Sequence, residues 1–93
     1  MGQYIIQFSK QAIKDLQTIK KSGKKSDKDK IDDLLSELEK HPREGKGQPE
    51  QLKHYEGEVW SRKINKKDRL VYEIYEKTIC ITIIQALGHY NDN

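Results

Sequence analysis

Once the residues needed to build a fold are set aside, Glu50, Lys53, Arg62, Lys63, Arg69 and His89 remain as a group of ionisable side chains, with Tyr90 beside the histidine. A carboxylate, several cations and an imidazole are the parts that cleave RNA without a metal. A base takes the proton of a 2′-hydroxyl, cations stabilise the phosphorane, and an acid protonates the departing 5′-oxygen. Glu50 follows Pro49, whose fixed φ gives a rigid point from which to aim a carboxylate. Arg69 holds a permanent charge and a two-pronged donor for phosphate oxygens. Lys53, Arg62 and Lys63 can contact phosphates along a backbone, and an imidazole at His89 can serve as acid or base near neutrality. A tyrosine at position 90 can stack on a base or donate to a phosphate. Each residue also has a plainer reading. Glu50 fits a surface glutamate, Arg69 a cross-strand ion pair, the lysines the guards of a strand edge, and His89 with Tyr90 a frayed tail.

These side chains need a scaffold, and 93 residues suffice for one domain over the whole chain, 1–93. The first apolar run, 3–8, is short, aromatic and β-branched and reads as a strand. Ser9 is placed to cap a helix over 10–22, whose Ala12, Ile13, Leu16 and Ile19 recur at helical spacing before Gly23. After the charged turn at 20–25, Ser26 and Asp27 are positioned to cap a second helix with the stripe Ile31, Leu34, Leu35 and Leu38, which Pro42 ends. A loop over 41–51 holds both prolines, and four strands follow at 52–55, 58–64, 69–75 and 78–87. The last is apolar on both faces, with isoleucines 79, 81 and 83 on one side and Cys80 and Ile84 on the other, which suits mid-sheet. The fold class is therefore α+β: a two-helix hairpin packed on one face of a mainly antiparallel sheet of about five strands, the other face left open.

Composition narrows the function without naming it. The net charge is +3, from 18 basic and 15 acidic residues, too small by itself to mark a nucleic-acid binder. Its distribution says more, because Lys53, Arg62, Lys63, Lys66, Lys67 and Arg69 outnumber Glu56, Glu58 and Asp68 in one stretch. The single cysteine, Cys80, excludes an internal disulfide and a multi-cysteine zinc site, and its apolar surroundings suit a core residue. His41 and His54 lack ligand spacing, so no metal and no cofactor is expected. No apolar stretch reaches the roughly 18 residues that span a bilayer, which makes a cytoplasmic protein without membrane contact the expectation. Trp60 and Tyr72 are read as sheet-packing aromatics.

The segment Pro42-Arg43-Glu44-Gly45-Lys46-Gly47-Gln48-Pro49-Glu50-Gln51-Leu52-Lys53-His54, with Trp60-Ser61-Arg62-Lys63-Ile64, Arg69-Leu70-Val71-Tyr72 and Gly88-His89-Tyr90, resembles YoeB/Txe toxins of the RelE superfamily. The resemblance runs from the second helix to the end of the chain. It implies a microbial-ribonuclease-like fold and a metal-independent endoribonuclease that enters the A site of the 70S ribosome and cuts the bound mRNA. By that resemblance Glu50 is the general base, His89 the general acid, Arg69 the main phosphate stabiliser and Tyr90 a substrate-orienting residue, with Lys53, Arg62 and Lys63 contacting RNA. It also implies a YefM/Axe-type antitoxin whose flexible carboxyl-terminal segment folds onto the toxin, with operator DNA bound only through that antitoxin. Two departures stand out: Lys63 replaces an arginine common in the family, and Asn91-Asp92-Asn93 extends beyond the His-Tyr pair. The alternative is a module that blocks translation by binding RNA or the ribosome without cutting, which needs the basic residues but neither Glu50 nor His89.

Overall fold

The computed structural model describes residues 3–88. Strand β1 (Ile5–Phe8) leads directly into helix α1 (Lys10–Ser22), and Ser9 joins the two. Its Oγ accepts from the Ala12 amide at 3.0 Å, satisfying one of the free N–H groups at the helix start, and donates to the Ile84 carbonyl at 2.7 Å. Gly23 closes α1 in the left-handed conformation with φ of 80°, as its position after the apolar stripe predicts. Helix α2 (Lys25–Leu38) starts two residues earlier than a cap at Ser26 would place it. Lys24 occupies the cap position without a side-chain bond, and Ser26 and Asp27 fall within the first turn. Asp27 is instead nearly buried, and its Oδ2 accepts from Asn65 Nδ2 at 3.0 Å.

Four more strands complete the chain: β2 (Glu50–Leu52), β3 (Glu58–Lys63), β4 (Arg69–Tyr75) and β5 (Cys80–Gln85). With β1 they form a five-stranded sheet in the order β1-β5-β4-β3-β2. β1 runs parallel to β5, and every other pairing is antiparallel. The apolar final strand is interior, as its two-sided pattern predicts. Its start differs from expectation, because Ile79 lies in a turn at φ of 53° with 41% of its surface exposed and does not join Ile81 and Ile83 on the inner row. Cys80, expected in the core, is only partly buried. The strand expected over 52–55 instead spans Glu50–Leu52, because the chain bends away after Leu52 and leaves residues 53–55 outside the sheet.

Both helices pack on one face of this sheet. Ala12 and Ile19 from α1, with Ile31, Leu34 and Leu38 from α2, meet Leu70, Tyr72 and Ile74 of β4 and Ile81 and Ile83 of β5. The opposite face carries only a small apolar cluster, Leu52, Val59 and Val71, with Ile84 against it. Among the described residues no helix is long and apolar enough to cross a membrane.

The layering predicts that Leu34→Ala, which empties a site with no exposed surface, costs about 2–5 kcal/mol of unfolding free energy. Ile13→Ala, at a position 46% exposed, is expected to cost under about 1 kcal/mol. Urea titration followed by circular dichroism measures both, and equal losses would contradict this packing.

Candidate active site on the open sheet face

Strand pairing decides which of the ionisable residues meet. Glu50 is in register with Ser61, Ser61 with Val71, and Lys63 with Arg69. Because alternate residues of a strand share a face, Glu50, Ser61, Lys63, Arg69 and Val71 lie together on the face away from the helices. Cβ atoms directly across a pair stand about 4.5–5.5 Å apart, so Lys63 and Arg69 are immediate neighbours, with Glu50 diagonal to Lys63 at roughly 7–8 Å. Glu50 and Arg69 are two strands apart and offset by two residues along the strand, about 12 Å between backbone positions.

The charges of this face are not spent on one another. Glu50 and Lys63 are exposed and Arg69 half-buried, and none of the three takes part in an ion pair among the described residues. Among the described residues Arg69 makes only long contacts, from Nη1 to the carbonyls of Asn65, at 3.4 Å, and Asp68, at 3.5 Å. Its guanidinium therefore keeps most of its donors for a ligand. The apolar floor of Leu52, Val59, Val71 and Ile84 lies beside these charges. Next to it the β4–β5 register shifts between Val71 and Tyr72, so that β5 carries an extra residue, Ile84, of the kind that bends a strand near a functional surface. Lys53 is exposed in the bend beyond β2, outside the sheet register. His89 and Tyr90 lie outside the described residues. Among the described residues no group of three or more His, Cys, Asp or Glu side chains is arranged to hold a metal.

Arg62 corrects the sequence-based expectation. It is not an RNA contact: its register partner is Leu70 and it faces the helices, with none of its surface exposed. All five N–H groups are engaged. Nε donates to the Tyr72 hydroxyl, Nη1 to Glu37 Oε1 and the Lys46 carbonyl, and Nη2 to the carbonyls of His41 and Glu44. Tyr72 passes the chain on by donating to the Pro42 carbonyl at 2.7 Å. The segment entering β2 is thus folded around one guanidinium. Gly47 closes it at φ of 80°, with a Cβ there falling 3.1 Å from Arg62 Cβ, Leu34 Cδ2 and the Lys63 carbonyl, while its own carbonyl accepts the Lys63 amide at 2.7 Å. Glu37, the acidic partner on α2, has no sequence motif to announce it. The Lys46 amide, together with Arg62, holds the Glu37 carboxyl below the ordinary carboxylate range, against an opposing push from burial.

The two-helix layer on a five-stranded mixed sheet is the fold of RelE/YoeB-like toxins, and the family match places the chain among type II toxin-antitoxin toxins. Residues 8–90 match the model of the YoeB-like toxin of bacterial type II toxin-antitoxin systems, and the chain belongs to that family. Toxin YoeB of Escherichia coli K12 is 42% identical over 52 residues, a stretch covering 56% of this chain and 62% of that protein. The match thus spans less than two thirds of the relative's length. A YoeB/ParE toxin from Agrobacterium tumefaciens superposes with a TM-score of 0.83 at 27% identity, covering 92% of this chain and 99% of that one. The toxin in a heterotetrameric YoeB–YefM complex from Staphylococcus aureus gives 0.76 at 34% identity, covering 94% and 98%.

The two arginines of this region are expected to respond oppositely to the same exchange. Arg62→Lys leaves buried carbonyls without donors and lowers unfolding free energy by about 2 kcal/mol or more. Arg69→Lys, on the open face, shifts it by less than about 0.5 kcal/mol. Denaturant midpoints measure both. Because the Glu37 carboxyl is depressed on folding, its stabilisation is complete above about pH 4.5, the ordinary value, and is lost as pH falls through the lower folded value. The stability difference between wild type and Glu37→Gln should therefore shrink between pH 6 and pH 3, and a difference that stays constant over that range would contradict the pairing.

Proposed function

We propose that this chain is an endoribonuclease that cuts mRNA held in the ribosomal A site, inhibiting translation. The observation that carries the reading is the placement of Glu50, Lys63 and Arg69 on one open face with their charges unpaired among the described residues. Glu50 takes the proton from the 2′-hydroxyl, and the 2′-oxygen attacks phosphorus. Arg69, with Lys63 beside it, stabilises the charge that develops on the non-bridging oxygens. The bond from phosphorus to the 5′-oxygen breaks as His89 donates a proton to that oxygen, leaving a 2′,3′-cyclic phosphate and a 5′-hydroxyl. Tyr90 orients the substrate and Lys53 contacts the RNA backbone. The chemistry uses no metal or other cofactor.

Lys63 offers a point charge where a planar fork would grip two oxygens, so Arg69 carries the directional part of phosphate recognition. Family membership supports a cognate YefM/Axe-type antitoxin, with operator DNA reached through it, and a cytoplasmic setting beside the ribosome. The S. aureus complex of a YoeB with YefM supports the same pairing here.

Primer extension on an mRNA in purified 70S ribosomes with a defined A-site codon tests the proposal. Wild type is expected to give a new 5′ end within that codon. Glu50→Ala and His89→Ala should each lower the cleavage rate by a hundredfold or more, within the range typical of acid-base groups. A stall without a new 5′ end, unchanged in both variants, would establish a non-cleaving translation inhibitor instead.

A further inference from the structure

Strand β5 ends at Gln85, and the next three backbone amides have no ladder to enter. Two acidic side chains receive them. Asp15 Oδ2, from α1, accepts the Ala86 amide at 2.9 Å and the Leu87 amide at 3.4 Å. Asp68 Oδ1, from the turn before β4, accepts the Gly88 amide at 2.8 Å. Each carboxylate is itself held from its other oxygen. Gln11 Nε2 donates to Asp15 Oδ1 at 2.7 Å, and Asn65 Nδ2 donates to Asp68 Oδ2 at 3.1 Å and also reaches Asp27. Asn65 is fixed in turn, because its Oδ1 accepts the amides of Lys67 and Asp68.

Both carboxylates are nearly buried, Asp15 5% and Asp68 4% exposed, and neither has a lysine or arginine partner among the described residues. Burying an anion without a countercharge is costly unless hydrogen bonds compensate, and bonds from amides to a carboxylate are stronger than bonds to a neutral acceptor. Ending a strand needs no such arrangement, since exposed amides can turn to water. Here two anions from distant parts of the chain grip three consecutive amides, the last of them that of Gly88, whose φ is 69°.

We infer that Asp15 and Asp68 are positioning residues of the cleavage reaction, fixing the backbone of residues 86–88 from which His89 departs. The inference rests on the reading of His89 as the acid. A side chain that must deliver a proton to one oxygen gains from a fixed anchor in the chain before it, and the two carboxylates fix residues 86–88 from the side of the core.

The test is single-turnover cleavage of ribosome-bound mRNA, with the rate at saturation and the half-saturating concentration measured separately. Asp15→Ala and Asp68→Ala are expected to lower the saturated rate at least tenfold with half-saturation unchanged within twofold. In a His89→Ala background they should add less than a twofold further loss, because residues acting through one group are not additive. A substrate with sulfur in place of the departing 5′-oxygen, which leaves without a proton, should restore both variants to near the wild-type rate. Losses that multiply with His89→Ala, or that persist with the sulfur substrate, overturn the inference. One glycine inserted between Gly88 and His89 keeps every carboxylate contact while shifting the histidine along the chain, so it answers even where the aspartate variants unfold. It should match His89→Ala, and full activity would overturn the inference. If His89→Ala alone cleaves at the wild-type rate, the assignment of the acid fails first, and this inference with it.

Discussion

The guanidinium of Arg62 sits between sheet and helices with no exposed surface and an acceptor for each of its five N–H groups. Three of those acceptors are backbone carbonyls of residues 41–46, a segment with no regular structure of its own. Such a segment has little to pack with, because Pro42 is its one buried residue and the others are polar or glycine. Its order comes from a charge buried within it. The cation is tolerated there because Glu37 offers a countercharge and the carbonyls complete the coordination, which is the condition under which buried ions persist. The segment leads into β2 and Glu50, so the direction of the proposed base depends on an arginine that never meets substrate.

The sheet divides its labour by parity. Residues of β3 and β4 that face the helices include Trp60, Arg62, Leu70, Tyr72 and Ile74, and those on the opposite face include Val59, Ser61, Lys63, Arg69, Val71 and Glu73. Two adjacent basic residues thus have opposite fates. Arg62 becomes scaffold, and Lys63 is left exposed beside Arg69. The planar fork is spent inside, where five fixed acceptors match it, and the flexible ammonium is left outside. Arg43 gives a similar anchor at the rim, bonding Glu58 through Nε at 2.6 Å and Glu76 through Nη2 at 2.8 Å, and it holds the Glu58 carboxyl below the ordinary range.

Much of this was legible in the sequence because local patterns decide it. The helical spacing of Ala12, Ile19, Leu34 and Leu38, the cap at Ser9, the left-handed Gly23 and the stop before Pro42 each follow from backbone sterics or amphipathic period. The interior place of β5 followed from its apolar character on both faces. Features set by distant contacts were not legible. Arg62 beside Lys63 reads as a basic pair, and only its phase with Trp60 hints that it turns inward. Its partner Glu37 lies 25 residues away on a helix, and Asp15 meets an amide 71 residues later. The early end of β2 was not legible, because the chain bends after Leu52, a feature that propensity does not encode. For the open face, residue types named Glu50, Lys63 and Arg69, while the register of three strands brought them together.

The open face explains RNA cleavage only if the 2′-oxygen of the substrate is the nucleophile, since nothing else proposed for the site attacks phosphorus. An mRNA carrying one 2′-deoxynucleotide at the scissile position, held in the ribosomal A site and compared with its all-ribose counterpart, tests this most directly. The all-ribose message should be cut to a fragment ending in a 2′,3′-cyclic phosphate, and the deoxy message should remain intact at that position. Cleavage of the deoxy message at a comparable rate, or a product bearing a 3′-hydroxyl and a 5′-phosphate, would contradict the account.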